Sequence, residues 1–451
     1  MSNAGQWEPW LIWGLSLGMV GLIFFVYLRQ TRRKERKNLF IKREAVELGI
    51  DRPPVQHPHI DVYACIGCGS CVAACPEGDV LGMVAGKATI LNGLRCVGHG
   101  RCAQACPVGA VTVGLGDRSQ REDLPVLDHG LQTSRPGVFI AGELGGLALI
   151  RHAVEQGRLA ARAAIDSLES DQANRTGELL DLVVVGAGPA GLTAGVVANE
   201  SGKTCLILEQ GETGGAMLHY PRKSLVLTQP VEIPSYGWLR NEHYTKESLL
   251  AIWEQVIADR GLTIAEYERL VSIEGELNRF QITTSKGTHY AKRVILALGR
   301  SGTPRKLGAP GEESAKVAYR LIDAFSYNHS RLLVVGGGDS AVEAALALSS
   351  QAGNTVTLSY RRGRFFRIRK QNLDRLDQAI ANQKIRVVYN SRVSEIRPRD
   401  VLLHTPDGSL SVENDFVFIL IGGIPPFGLL KKTGIEMGGT ANTELGAKVA
   451  V

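Results

Sequence analysis

The cysteines of Cys65-x2-Cys68-x2-Cys71-x3-Cys75-Pro76 are the densest chemical signal in this chain of 451 residues. Three thiolates on one tight loop can reach three irons of a cuboidal iron–sulfur cluster, while the fourth, followed by a chain-turning proline, points elsewhere. A second run, Cys96-x2-His99-x2-Cys102-x3-Cys106-Pro107, keeps every landmark except that His99 stands where the second cysteine would be. Two readings of His99 stay open: an imidazole ligand, which raises the reduction potential, or a three-iron site with the ring idle. Zinc is the alternative for such thiolates, but its sites use separated CxxC pairs rather than a triplet plus Cys-Pro.

Together the two runs resemble the bacterial-type two-cluster ferredoxins. In that family the fourth cysteine of each run ligates the other cluster. The resemblance implies one complete [4Fe-4S] site from Cys65, Cys68, Cys71 and Cys106. It implies a second [4Fe-4S] or [3Fe-4S] site from Cys75, Cys96 and Cys102 with His99.

Two glycine loops carry different chemistry. Gly186-Ala187-Gly188-Pro189-Ala190-Gly191 follows the apolar residues 182–185, precedes a helical pattern, and is followed by a second apolar run ending in Glu209. Glycines there allow a tight turn and a pyrophosphate at the helix N-terminus, and the acid suits a ribose hydroxyl. Gly214 and Gly215 fit a second close approach to the cofactor. The unit recurs at residues 332–335, where Gly336, Gly337, Gly338, Asp339, Ser340 and Ala341 open a helix. Where an NAD site would place an acid, this one has Arg361 and Arg362, which suit a ribose 2′-phosphate and favour NADPH over NADH. The alternative is that the six basic residues of 361–370 form a solvated face.

The elements that must position these groups are legible in outline. The length suggests about three domains. Seven of the eight cysteines fall in the two runs and Cys205 sits in a strand-like apolar run, so a disulfide framework is excluded and a reducing compartment expected. Residues 10–28 are nineteen uncharged, apolar-rich positions, long enough for the ~30 Å hydrocarbon core. Trp7, Trp10 and Trp13 crowd one end of that stretch and Tyr27 the other, and Arg29, Arg32, Arg33, Lys34, Arg36 and Lys37 follow it. This predicts a single-pass span in the inner (cytoplasmic) membrane with the bulk of the chain cytoplasmic; a cleaved signal would carry its charges first. Residues 29–43 hold eight basic groups against Glu35, a charge of +7, while the whole chain carries +6. The basic balance is therefore a membrane signal, and no nucleic-acid partner is expected.

The order of motifs resembles the thioredoxin-reductase-like flavoproteins, in which an NADPH domain interrupts an FAD domain. The markers are the two glycine loops, Ala297-Leu298-Gly299-Arg300 between them, and residues 417–423 after them. That family closes with a segment like Pro-Gly-Val-Phe-Ala-Ala-Gly-Asp and a helix against the flavin. Here its counterpart lies upstream, as Pro136-Gly137-Val138-Phe139-Ile140-Ala141-Gly142-Glu143 and a helix-like stretch at 153–160. We read this as a circular permutation, with Gly142 and Glu143 as flavin contacts; the alternative is a mere linker, or a segment completing a neighbouring subunit. The dithiol expected before the second glycine loop is missing from 317–323, and Ala190 replaces the loop cysteine of the bacillithiol-disulfide-reductase-like branch. The resemblance then points to ferredoxin–NADP reductases, with a thiol–disulfide reductase or a redox sensor as rivals. It implies a homodimer; the electron acceptor or donor, a protein or a quinone, is left open by the sequence. No side chain is assigned a catalytic role, since the cofactors carry the chemistry.

The expected fold is α/β: two Rossmann-like dinucleotide-binding domains, for FAD and NAD(P), preceded by a small α+β ferredoxin-like domain and one N-terminal transmembrane helix. The expected division is 1–56 anchor and basic linker, 57–116 ferredoxin-type domain, and 117–168 permuted C-terminal segment of the FAD domain. A linker, 169–180, then leads to the FAD domain 181–305, the NAD(P)H domain 306–412, and the return to the FAD domain, 413–451.

Overall fold

The computed structural model describes residues 8–47, 56–114, 124–147, 149–169, 179–219, 225–227, 230–240, 243–300 and 302–438. Trp7, linker residues 170–178 and the stretch 439–451 lie outside the described residues. The chain divides into two compact units: Met1–Pro53 with His57–Cys96 and Gly100–Gly114, and Pro54–Gln56 with Val97–His99 and Leu115–Val451.

The first unit opens with a 40-residue helix, Glu8–Glu47. Apolar stretch and basic run form one uninterrupted helix, because no proline interrupts residues 10–47. Leu15, Leu17, Ile23, Phe24 and Phe25 are exposed, and by length and composition the helix could cross a membrane. Farther along, Asn38 Nδ2 donates to the Met83 carbonyl (3.1 Å) and Glu35 Oε1 accepts from the Ala85 N–H (2.9 Å).

The remainder of this unit is a repeat of strand, cysteine loop and short helix. His57–Ile60 pairs antiparallel with Val111–Gly114, and Leu81–Val84 with Lys87–Ile90. The second pair is joined by Ala85 and Gly86, both at positive φ (50° and 71°), the backbone of a two-residue hairpin turn whose twist matches its strands. Helices Ser70–Ala74 and Arg101–Gln104 each follow a left-handed glycine. Gly67 and Gly69 (φ 75° and 77°) are matched by Gly98 and Gly100 (80° and 73°), so the backbone around His99 copies that around Cys68. Cys65, Cys71 and Cys102 pack with Val80, Leu81, Ala88, Ala110 and Val111 as the core.

The second unit holds two sheets. In the first, Ile264–Ala265, Cys205–Leu208, Leu179–Val185 and Thr288–Leu296 run parallel in that order, extended antiparallel by Arg279–Thr284 and Leu270–Glu276. Residues 182–185 are buried and apolar throughout, as a strand covered on both faces must be. Val138–Ile140, from upstream of that strand, pairs parallel with Thr288–Leu296. Helix Ile150–Glu169 lies along helix Pro189–Glu200: a Cβ on Gly157 would come within 2.2 Å of the Ala190 carbonyl oxygen. Arg135 fastens the same segment, donating to the carbonyls of Ile273 (3.0 Å), Gly275 (2.5 Å) and Thr433 (2.8 Å).

The second sheet is parallel, in the order Val317–Ala318, Phe416–Ile419, Arg331–Val335, Thr355–Ser359, Ile385–Val388. Helix Asp339–Ser349 covers it, burying Ala341, Val342, Ala345 and Leu348.

Candidate cofactor sites

Cys65, Cys68, Cys71 and Cys106 line one pocket, with Ile66, Gly69, Ala88, Val108, Ala110 and Val111. The tight loop supplies three of the four thiols because Gly67 and Gly69 take left-handed conformations that turn it. Gly67 has a second constraint, since a Cβ there would stand 2.1 Å from the Gly86 carbonyl oxygen. Lys87 Nζ holds the Cys65 carbonyl (2.5 Å), and the Ala110 N–H donates to Cys106 Sγ (3.2 Å). Burial pushes the Cys71 thiol up, and the neighbouring Cys65 and Cys106 add to this by repulsion. Hydrogen bonding by Ser70 pulls the exposed Cys68 down.

Burial likewise raises Cys75 and Cys102, and Cys102 also feels Cys75 and Cys71. Those thiols are therefore neighbours as well. His99 is buried on a loop where a Cβ at Gly98 would stand 2.3 Å from Gln56 Oε1. Among the described residues no three ligand side chains converge on a single metal ion. A pocket lined by four thiols suits a cuboidal cluster, in which each cysteine binds a different iron.

The first glycine loop is shaped by its neighbours. Gly186 sits at φ 111° with its missing Cβ 2.3 Å from the Ala297 carbonyl oxygen, and a Cβ on Gly191 would stand 1.8 Å from the Gly186 carbonyl oxygen. Gly188 differs: φ is −85° and the nearest atom to its Cβ would be Gly215 Cα at 3.8 Å. Its missing side chain leaves a cradle at the N-terminus of helix Pro189–Glu200, where the pyrophosphate of a dinucleotide fits. Gly215, at φ 58°, closes that cradle's far side. Glu209 is buried, and its carboxylate accepts from the N–H groups of Ala187 (2.8 Å) and Gly211 (3.0 Å).

Gly142 and Glu143 are brought to the same loop. A Cβ at Gly142 would meet that of Ala190 at 3.1 Å, and its backbone (φ 83°, ψ −156°) is one that glycine tolerates. Burial raises the Glu143 carboxyl above its ordinary value, with Arg300 opposing. Sequence reasoning missed Gln156, whose Oε1 accepts from the Gly142 N–H at 2.9 Å. Helical spacing marks its element but not the strand-end turn its amide meets.

At the second loop a Cβ on Gly336 (φ 153°) would stand 2.3 Å from the Leu420 carbonyl oxygen, while a Cβ on Gly338 would meet nothing within 4 Å. Asp339 Oδ1 accepts from the Arg369 N–H (2.9 Å) and Asn372 Nδ2 (2.7 Å), so this loop and the arginine segment are tied together. Ser340 and Ala341 follow Asp339 in the first turn of the helix Asp339–Ser349. Arg361 is exposed; Arg362 and Arg364 lie over the Phe366 ring at 5.4 and 4.8 Å. Tyr360 stacks on Phe365 at 4.7 Å and fills the space a Gly337 side chain would need. Tyr360, Phe366 and Asn372 were not singled out from the sequence, since only their neighbours carry a motif.

The family described as pyridine nucleotide-disulphide oxidoreductase matches residues 183–446, and the one described as 4Fe-4S dicluster domain matches 57–107. Relatives include a ferredoxin–NADP reductase of Ignicoccus hospitalis, 32% identical over 57% of this chain and 82% of its own length. That of Thermus thermophilus is 33% identical over 57% of this chain and 77% of its own length. Among solved structures, the bacillithiol disulfide reductase of Staphylococcus aureus superposes with a TM-score of 0.53 at 26% identity, covering 57% of this chain and 81% of that one.

Proposed function

Because the chain belongs to the pyridine nucleotide-disulphide oxidoreductase family and carries a 4Fe-4S dicluster domain, we propose that it relays electrons between NADPH and an acceptor or donor from a membrane-anchored position. It is an FAD- and NAD(P)H-dependent oxidoreductase, and the proposal concerns the route. Bound FAD would exchange hydride with NADPH and single electrons with the clusters.

The observation carrying the route is the placement of thiols. Seven of eight cysteines belong to the two cluster runs. The eighth, Cys205, is held by burial at a pKa of about 12, so it offers no thiolate for disulfide exchange. The chain's own residues then have positional tasks: Gly188 and Gly338 leave room for pyrophosphates, Glu209 and Glu143 flank the first cradle, and Arg361 and Arg362 favour a 2′-phosphate. The ligand sets we propose are Cys65, Cys68, Cys71 and Cys106 for one cluster, and Cys75, Cys96 and Cys102 with His99 for the other.

The circular permutation is part of the same reading. It is supported by the pairing of Val138–Ile140 with Thr288–Leu296 and by the backbone bonds Val126 N–H to Glu436 (3.1 Å) and Gly438 N–H to Leu124 (2.8 Å). The upstream segment thus lies where the downstream strand-and-loop ends.

The test is anaerobic NADPH titration of the purified protein, following flavin bleaching optically and cluster reduction by electron paramagnetic resonance. Bleaching followed by reduced-cluster signals is expected, with the spectrum separating three-iron from four-iron occupancy. Flavin that bleaches and reoxidises on adding a small disulfide, with the clusters silent, would favour the thiol-reductase rival.

A further inference from the structure

The lone acid in the basic run, Glu35, has a structural partner: its carboxylate accepts the Ala85 N–H at 2.9 Å. Asn38 reinforces the contact on Met83, and a Cβ on Gly82 would stand 2.9 Å from Asn38 Nδ2, so helix and hairpin touch closely. The same two-residue turn reaches the four-cysteine pocket. Gly86 is in backbone contact with Gly67, and Lys87 holds the Cys65 carbonyl. One tight turn therefore couples the helix Glu8–Glu47 to the complete thiolate site.

The helix also sets a height. From Leu28, the end of the apolar stretch, Glu35 is seven residues and Asn38 ten, about 10 and 15 Å at 1.5 Å per residue. No proline intervenes to make a hinge. The pocket meanwhile presents an apolar collar: Ile66 and Val108 line it yet are 63% and 43% exposed, nearby Tyr63 is 96% exposed, and Cys68 is exposed. Exposed apolar groups around a redox site mark an interaction surface.

We infer that helix Glu8–Glu47 is a rigid stalk that presents the Cys65/Cys68/Cys71/Cys106 site, through the collar of Tyr63, Ile66 and Val108, to the cytoplasmic face of an integral membrane redox protein. This rests on the membrane-anchored reading above. Height selects the partner: a quinone dissolved in hydrocarbon would have to rise about 10–15 Å out of the lipid, whereas the loops of an integral protein extend that far. Each transfer moves one electron from the site to a one-electron centre of the partner. The site is oxidised and the partner reduced, no bond or proton changes hands, and NADPH oxidation supplies the electrons in pairs.

Flotation of the full-length, cofactor-loaded protein on vesicles comes first, because protein that fails to float refutes anchoring itself. The site is then photoreduced with deazaflavin, which bypasses NADPH, and its reoxidation followed by electron paramagnetic resonance in three preparations. These are source-cell membranes, vesicles of the lipid and quinone extracted from them, and phosphatidylcholine vesicles supplied with membrane-free cytosol. Reoxidation at least tenfold faster in the native membranes is expected, together with its loss in Ile66→Lys and Tyr63→Glu. Equal rates in the extract vesicles would assign a quinone, and faster rates with cytosol a soluble acceptor; either overturns the proposal. Glu35→Ala combined with Asn38→Ala should keep the resonance signal but slow reoxidation in native membranes several-fold, and unchanged rates would refute the rigid stalk.

Discussion

Gly157 lies against the Ala190 carbonyl so closely that a Cβ would come within 2.2 Å of the oxygen. The contact joins helix Ile150–Glu169, which precedes the first glycine loop in sequence, to helix Pro189–Glu200, which that loop opens. Since the oxygen belongs to backbone, relief requires one helix to move. Gly157→Ala should destabilise the second unit by about 1–3 kcal/mol and release flavin at a lower temperature. Thermal unfolding followed by flavin fluorescence measures both, and an unchanged midpoint would contradict the packing.

The glycines of the first loop should separate into two classes. Gly186→Ala meets positive φ and the Ala297 carbonyl, so it should lose stability with or without flavin. Gly188→Ala fits the bare backbone and should fold at the wild-type midpoint, yet bind FAD at least tenfold more weakly because the methyl enters the cradle. Apo-protein unfolding and FAD titration distinguish them.

Arg361→Glu should raise the KM for NADPH at least tenfold while leaving that for NADH within about twofold, since one charge-assisted bond to the 2′-phosphate is exchanged for repulsion. Steady-state kinetics with both nucleotides decide it. Equal changes would place Arg361 on a solvated face.

Cys205, with its thiol pushed to about 12, should resist alkylation at pH 8 in folded protein whose clusters are intact. Cys205→Ser should retain NADPH oxidation with a one-electron acceptor. Mass spectrometry after iodoacetamide treatment tests the first statement; rapid labelling would restore the thiol-reductase reading.

Asp181 gives the pH dependence. Burial opposes its ionisation, but hydrogen bonds from Thr204 and the Lys292 ammonium outweigh it and hold the pKa below the usual carboxylate value. A lowered acid binds fewer protons folded than unfolded, so its contribution is full above the unfolded value of about 3.9 and lost as pH falls through the folded one. Asp181→Asn should therefore lower stability at neutral pH and flatten its decline below about pH 4. Urea midpoints across pH 3–7 would reveal a parallel decline if the carboxylate contributed nothing.

The α/β architecture was legible because strand, glycine loop, helix and acid each leave a local mark between Leu182 and Glu209. The cysteine spacing was equally local. Helix Glu8–Glu47 ran longer than the apolar stretch suggested, since residues 29–47 are good helix formers whose docking depends on Glu35 and Asn38 meeting a hairpin some 45–50 residues away. Gln156, Tyr360 and Asn372 were silent for the same reason: each acts on a backbone or carboxylate remote in sequence, where composition and periodicity carry no information.

Val138 pairs with Val294, so a strand of the first sheet leaves the ribosome 156 residues before its partner. The nascent chain must keep an apolar segment soluble while the first glycine loop and everything up to Thr288–Leu296 is synthesised. At roughly 5–20 residues per second that wait lasts about 8–30 seconds. Helix Ile150–Glu169 has its packing partner sooner, once Pro189–Glu200 emerges. Heterologous yield should accordingly respond to translation speed and holdase supply more than to the stability of the finished fold.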